Sequence, residues 1–448
     1  MSNHIRPVSK LLFLRHAFIM LVSNIGMTLL GLLTGVVLAR TLGPTGRGLM
    51  TTVFIWPQML VWVSGLSLSY ASVYYGSADS AVRKHLFANS FWAAIVLGSI
   101  TGGLSVVILP HFVSLDQSQH TLLLFALLTL PLGLWTDYAY GLLQCTSRFE
   151  RLGFVRIMSP LLTAVCLLVL WGVHSLTVTS AVLSYWGGAW FQFAWTIRFL
   201  VQDGCVSFRP DIALLRKSFS YSSRIHLGTL AGLANSRLDQ LVMTGLVAPK
   251  ALGLYAFSVI LAETLRQTAV ATTTVLYPKV SRETTDEQRR LLAAKTTRWV
   301  LMIAATGATA LFILAPWVVP YVWGNRFAGA VPTLRVLLPG TVALSVTLTM
   351  ATNLYGAGRP GVTTIAEVAS LLVMLPLLWL WLPRLGIFGA GLASTCGYCV
   401  NCFVMTYYFT STFGKECLFD IRPSRRDWED IRTVFTQLRL RPQATIGN

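Results

Sequence analysis

Stretches of about 20 mostly apolar residues, each long enough to cross a hydrocarbon core of roughly 30 Å, recur along the whole chain. Twelve are present, at 17–39, 49–73, 87–109, 121–143, 153–173, 177–200, 218–246, 251–275, 298–319, 331–356, 361–382 and 386–409. Lipid offers no partner for backbone N–H and C=O groups, so spanning segments of this length must be helices. Composition agrees: 54% of the 448 residues are hydrophobic and 12% charged, against about 25% charged in soluble domains. The net charge of +18 would suit a nucleic-acid binder only if basic stripes lay on a hydrophilic surface. Here the apolar sequence is nearly continuous, so the expected partner is the phospholipid bilayer and no nucleic acid.

Basic residues in alternate short loops set orientation. With the N-terminus inside, 27 of the 35 Lys and Arg residues fall on the cytoplasmic side. The outer ends hold only Arg40, Arg47, Lys250, Arg326, Arg335 and Arg384, while Arg237 and Arg266 lie within spans. Both termini are therefore expected in the cytoplasm. The first span follows a short basic leader and is too long for a cleaved signal, so it reads as a signal-anchor helix with the mature chain beginning at Met1. Beyond the last span, Trp428, Ile431, Phe435 and Leu438 recur at helical intervals. That spacing suits either an amphipathic helix on the inner leaflet or a solvated tail.

The chain also repeats itself. Gly43-Pro44-Thr45-Gly46-Arg47-Gly48-Leu49 and Ala248-Pro249-Lys250-Ala251-Leu252-Gly253-Leu254 share a small-Pro-x-x-x-Gly-Leu pattern, 205 residues apart. A weaker echo pairs Tyr140-Gly141 with Tyr355-Gly356. Each main copy lies between the first two spans of a six-span half. The expected organisation is a six-helix lobe at 1–205, a second at 206–410 and a tail at 411–448, related as parallel repeats with the site between the lobes.

Several runs carry a resemblance: Ala39-Arg40-Thr41-Leu42-Gly43-Pro44, Arg237-Leu238-Asp239-Gln240-Leu241, Leu252-Gly253-Leu254-Tyr255, Tyr277-Pro278-Lys279-Val280-Ser281, Gly324-Asn325-Arg326-Phe327-Ala328-Gly329-Ala330 and Gly386-Ile387-Phe388-Gly389-Ala390. In this order they resemble the polysaccharide biosynthesis and export proteins, the Wzx-type flippases of the multidrug/oligosaccharidyl-lipid/polysaccharide (MOP) exporter superfamily. The resemblance implies an all-α integral membrane protein of about twelve helices in two pseudo-symmetric six-helix bundles. It implies transport of an undecaprenyl-diphosphate-linked oligosaccharide, an O-antigen or exopolysaccharide repeat unit, across the bacterial inner membrane. A polysaccharide polymerase or assembly protein is the implied partner. Related lipid II flippases look like this with two further C-terminal helices that form a groove for the lipid tail; with twelve spans read here, a dedicated tail groove is not expected.

Ionisable residues inside a bilayer usually face a cavity or a partner. Glu263 and Arg266 are three residues apart, on one face of the eighth span, with Glu263 about 18 Å from its outer end at roughly 1.5 Å per residue. They either neutralise each other or offer Arg266 to a diphosphate, with Glu263 holding it or exchanging a proton. Arg224, Gly228, Ala231, Asn235 and Asp239 form one small, polar stripe that lines a cavity or seats another helix. Arg237 points away from that stripe. Arg40, Arg335 and Arg224 extend a cationic lining, although an arginine such as Arg40 can equally cap a helix terminus. Asp137 lies toward the inner end of its span and Glu367 closer still to water, so both are weaker candidates, and His226 is more often a packing residue than a proton relay. Trp186, Trp190 and Gln192 are candidates for contact with sugar. The expected substrate-binding set is thus Arg266, Glu263, Asp239, Arg237, Arg224, Asn235, Arg40, Arg335 and Asp137. No cofactor is expected, apart from coupling to a proton or sodium gradient through Glu263, Asp239 or Asp137.

Other motifs carry nothing. Cys396, Cys399 and Cys402 are spaced like an iron–sulfur run but lack its fourth cysteine. Gly356-Ala357-Gly358-Arg359-Pro360-Gly361 fits a dinucleotide fingerprint by letter yet joins two spans. No metal, Walker-type or nucleophile-elbow motif occurs, so a transporter rather than an enzyme is expected. A cation-coupled multidrug exporter of the MATE-like kind is the first alternative, and a membrane glycosyltransferase or polymerase the second.

Overall fold

A computed structural model describes residues 10–111, 117–146, 148–280, 286–356, 359 and 361–417. The expected tail helix around Trp428 and Leu438 lies outside them. The described chain is helical throughout: α1 (Lys10–Ser64), α2 (Leu68–Ala78), α3 (Arg83–Ile108), α4 (Gln117–Leu128), α5 (Leu130–Cys145), α6 (Phe149–Gly172), α7 (Val178–Gln202), α8 (Ile212–Leu246), α9 (Pro249–Val280), α10 (Asp286–Trp323), α11 (Val331–Gly356) and α12 (Gly361–Phe413).

The helices map onto the twelve apolar stretches once their breaks are taken into account. α1 holds two spans joined at Gly43 (φ 66°, ψ −173°), and α12 holds two joined at Gly386 (φ 59°, ψ −144°). Only glycine enters this region readily, and Pro44, with its fixed φ and missing N–H, opens the second arm of α1 as it would any helix. α4 and α5 are one crossing bent by 44°, with a proline in the first turn of α5. The second span was expected to be continuous over 49–73, but it breaks between Ser64 and Leu68. There Leu66 (φ 50°) and Ser67 (φ 52°) take left-handed backbone.

The break frees backbone groups that must find partners in a buried setting. Tyr138 donates its hydroxyl to the Gly65 carbonyl at 3.0 Å. His226, from α8, places Nε2 at 3.2 Å from the Val63 carbonyl and Nδ1 at 3.1 Å from the Ser67 hydroxyl. Both ring nitrogens are therefore occupied in holding the break.

Among the described residues six helices are long and apolar enough to cross a membrane, and the bent α4–α5 pair makes a seventh. α7, α8 and α9 fall short of this measure, and α8 and α9 carry the polar residues Arg237, Gln240, Glu263 and Gln267. Large apolar side chains face outward, among them Leu104, Val107, Trp379 and Phe403, as a surface solvated by lipid requires. Inside, one set of apolar clusters is built from Phe87, Leu134, Trp135, Tyr138 and Leu142, and from Leu38, Val53, Leu167 and Val182. The other gathers Tyr255, Phe257, Phe327, Leu334 and Leu378, and Leu354, Met405 and Phe409. The result is two six-helix bundles, with α1 and α9 forming the main contact between them.

Candidate functional site

A cavity of about 940 Å³ lies between the bundles. Both arms of α1, together with α5 and α7, supply one wall, and α8 and α9 supply the other. The second arm of α1 turns a regular polar stripe toward it. Arg47, Thr51, Phe54 and Gln58 follow at intervals of four, three and four residues, and all four line the cavity. That spacing puts them on one helical face. From α5 come Asp137 and Tyr140, from α7 come Tyr185 and Trp186, and Trp323 of α10 joins them. The Gln192 amide donates to the Tyr140 hydroxyl at 2.6 Å, so it orients a cavity tyrosine from behind. Trp190 is 55% exposed and faces away.

The opposite wall carries Arg237, Gln240, Glu263 and Gln267. Arg237 donates to one Glu263 carboxylate oxygen at 3.0 Å, and Arg266 stands 4.0 Å from the other. Arg237 is thus turned into the cavity and neutralised there, while Arg266 lies behind the lining. Arg47 differs. It lines the cavity near Tyr185, and it takes part in none of the ion pairs formed among the described residues.

Of the nine residues expected to bind substrate, the cavity brings together Arg237, Glu263 and Asp137. The stripe on α8 has the second of its two expected roles and seats another helix. Asn235 donates to Glu367 at 2.6 Å and accepts from Ser370 at 2.9 Å, both on α12. Asp239 is fully buried and receives Tyr255, Ser394 and the Gln240 N–H. Polar side chains removed from water need such partners; α12 supplies Glu367, Ser370 and Ser394 and α9 supplies Tyr255, so Asn235 and Asp239 face this seam instead of the cavity.

Three arginines lie elsewhere. Arg224 is exposed on α8. Arg335 donates to the Phe312 carbonyl at 2.9 Å with its guanidinium over the Phe312 ring. Arg40 donates to the Tyr321 and Val322 carbonyls, each at 2.8 Å. It caps the C-terminal end of α10, the alternative that the sequence left open. Among the described residues no group of His, Cys, Asp and Glu side chains could hold a metal ion, and the seven cysteines are free thiols. Arg47 was not among the expected residues, although the Arg47, Thr51 and Gln58 spacing in an otherwise apolar span marks one polar helical face.

Comparison with known proteins fits this architecture. The family described as polysaccharide biosynthesis protein matches residues 13–283. No curated protein matches by sequence. Among solved structures, the lipid II flippase MurJ in an inward closed conformation superposes with a TM-score of 0.74 at 13% identity, covering 93% of this chain and 96% of that one. An inward-facing multidrug resistance MATE family transporter of the MOP superfamily gives 0.71 at 14% identity, covering 86% and 94%. An outward-facing MATE family transporter gives 0.62 at 15% identity, covering 90% and 95%. These likenesses establish a shared fold, and the match over more than half of the chain establishes the family. The chain belongs to the polysaccharide biosynthesis protein family and has the two-bundle fold of the MOP superfamily.

Proposed function

We propose that the protein is a flippase that moves an undecaprenyl-diphosphate-linked oligosaccharide, an O-antigen or exopolysaccharide repeat unit, across the bacterial inner membrane by alternating access. The observation that carries this reading is Arg47, a cavity arginine with no carboxylate partner among the described residues, which lines the cavity together with Gln58, Tyr140, Tyr185 and Trp186. A diphosphate entering a low-dielectric cavity needs a cation already in place, and guanidinium binds phosphate oxygens through two parallel hydrogen bonds. Aromatic faces and amides suit the sugars beside it. A volume of about 940 Å³ is near the top of the usual range for ligand pockets, about 300–1,000 Å³. It suits a headgroup with its first sugars while the lipid tail stays in the bilayer.

In this scheme Arg47 receives the diphosphate first. Arg237 is held ready by Glu263 and exchanges that carboxylate for phosphate as the substrate arrives. The lobes are 1–205 and 206–410, with 411–448 as a cytoplasmic tail. The bias of basic residues supports cytoplasmic termini, which places Gly43 at the outer end. A polysaccharide polymerase or assembly protein would receive the product.

Deleting the gene tests the reading. The expected result is loss of surface polysaccharide, with the lipid-linked unit accumulating in the cytoplasmic leaflet, both restored by the wild-type chain and not by Arg47→Ala. Unchanged polysaccharide in the deletion strain overturns it. Asp137 favours one second reading, a cation-coupled multidrug exporter, because a cavity carboxylate suits a cationic drug or a coupling ion. Drug resistance that disappears with the gene would decide for that alternative.

A further inference from the structure

The two copies of the Pro-x-x-x-Gly repeat touch. Pro44 and Gly48 sit in the first turns of the second arm of α1, and Pro249 and Gly253 occupy the same places in α9. A Cβ on Gly48 would lie 1.7 Å from the Pro249 carbonyl oxygen, and one on Gly253 would lie 1.9 Å from the Pro44 carbonyl oxygen. The crossing is reciprocal: each glycine receives the other repeat's proline carbonyl, as in a two-fold contact. It also brings Gly48 and Gly253 within van der Waals reach of each other, since the Gly253 Cβ position lies 2.8 Å from the Gly48 nitrogen. Neither glycine contributes a side chain to the crossing, so the two backbones meet directly there.

Three further hydrogen bonds cross between the bundles on the same side. Arg40 of α1 reaches the Tyr321 and Val322 carbonyls of α10. The Trp56 indole N–H, also from α1, donates to the Thr244 hydroxyl of α8 at 3.1 Å. Arg40 is exposed, so when it lets go, water replaces it at the helix end with little loss. The bundle interiors are different, being built from interdigitated large side chains such as Tyr255 and Phe257.

We propose that the repeat crossing is a releasable seal: Gly48 and Gly253 let α1 and α9 close one end of the cavity by backbone contact, and Arg40 latches the rim. Contact through flat glycine faces parts as a rigid unit, with no rotamer to be unlocked, while the arginine gives the closed state its register. The repeat found in the sequence is then the self-complementary surface of this seal. Its consequence for transport, that this is the gate through which the cavity opens at its Gly43 end, rests on the flippase reading. The seal itself rests on the crossing alone.

The test measures distance between the bundles without substrate. Spin labels go on Thr179→Cys and Arg384→Cys, two exposed positions on opposite bundles at this end, in full-length protein whose seven native cysteines are replaced, reconstituted in lipid nanodiscs. Gly48→Ala and Gly253→Ala favour helix by propensity, so their effect is read against Gly103→Ala, where a Cβ meets nothing within 4 Å. The expected result is a shift to longer distances in Gly48→Ala and Gly253→Ala, a smaller shift in Arg40→Gln and none in Gly103→Ala. Coincident distributions in all four, or an equal shift in Gly103→Ala, overturn the proposal. If the seal glycine variants fail to fold, Arg40→Gln and Trp56→Phe decide, and an unmoved distribution in both overturns it. A lengthened distance in the nanodiscs, together with surface polysaccharide that does not depend on the gene, upholds the seal while removing the flippase reading.

Discussion

Arg237 and Glu263 meet across the cavity wall at 3.0 Å, and the same carboxylate stands 4.0 Å from Arg266. One acid therefore serves two arginines. Glu263→Gln leaves both guanidinium groups close together with no counter-charge. Removing one partner of a fully buried pair costs about 3–5 kcal/mol. Here the two side chains are 23% and 25% exposed, so the expected cost is lower, roughly 1–3 kcal/mol. Thermal unfolding in detergent measures it, and the Arg237→Gln/Glu263→Gln double variant is expected to recover part of the loss. A double variant less stable than either single would show that the pair is not what holds these helices.

Arg47 should behave in the opposite way, because no ion pair among the described residues depends on it. Arg47→Ala is expected to leave thermal stability within about 0.5 kcal/mol of wild type while lowering surface polysaccharide. A lost charge-assisted hydrogen bond, worth about 1.5–3 kcal/mol, corresponds to roughly 10- to 150-fold weaker headgroup binding. Arg47→Lys should retain part of the activity, since it keeps the charge and loses the fork. Arg266→Ala, behind the lining, is expected to cost less than Arg47→Ala. The reverse order would return the site to the eighth span.

Asp239 accepts three hydrogen bonds and has no room for a donor. Asp239→Asn turns an amide N–H₂ toward Tyr255, Ser394 or the Gln240 N–H, each already a donor. The expected penalty is about 1–3 kcal/mol for the buried group left unmatched, read as a lower unfolding temperature. Any fall in transport should track the stability loss. Transport lost at unchanged stability would give Asp239 a role in substrate or ion handling.

These contrasts show which features were legible in the sequence. The spans could be read because bilayer thickness sets helix length, and the repeat because duplication preserves spacing. The breaks at Leu66 and Ser67 could not, since left-handed backbone in non-glycine residues arises from tertiary partners such as Tyr138 and His226. For the polar residues, period gave a face but not what the face meets. Asn235 and Asp239 shared a stripe that suited a cavity equally well, until Glu367, Ser370 and Ser394 on α12 supplied its partners. Arg237 looked displaced for the same reason. Arg47 was counted with the loop arginines because it stands near a helix start, although its stripe with Thr51 and Gln58 runs down into the cavity.

Gly43 and Gly386 join successive spans through backbone that other residues enter only with strain. Around Gly386 a Cβ would meet nothing within 4 Å, and at Gly43 only the Arg326 side chain at ordinary contact distances, 3.6 and 3.7 Å. Gly43→Ala and Gly386→Ala are therefore tests of conformation with little steric contribution. Each is expected to destabilise the protein by about 1–3 kcal/mol, the cost of holding a side-chain-bearing residue in this region. Gly103→Ala, inside α3 and facing open space, should instead be neutral or stabilising by up to about 1 kcal/mol through helix propensity. Thermal unfolding of the three variants in one detergent separates the two signs. Equal shifts in all three would mean that the turns at Gly43 and Gly386 relax into ordinary backbone. The two spans of each pair would then be joined by a flexible link in place of a fixed corner, and α1 could not deliver Arg40 and Gly48 to their contacts in register.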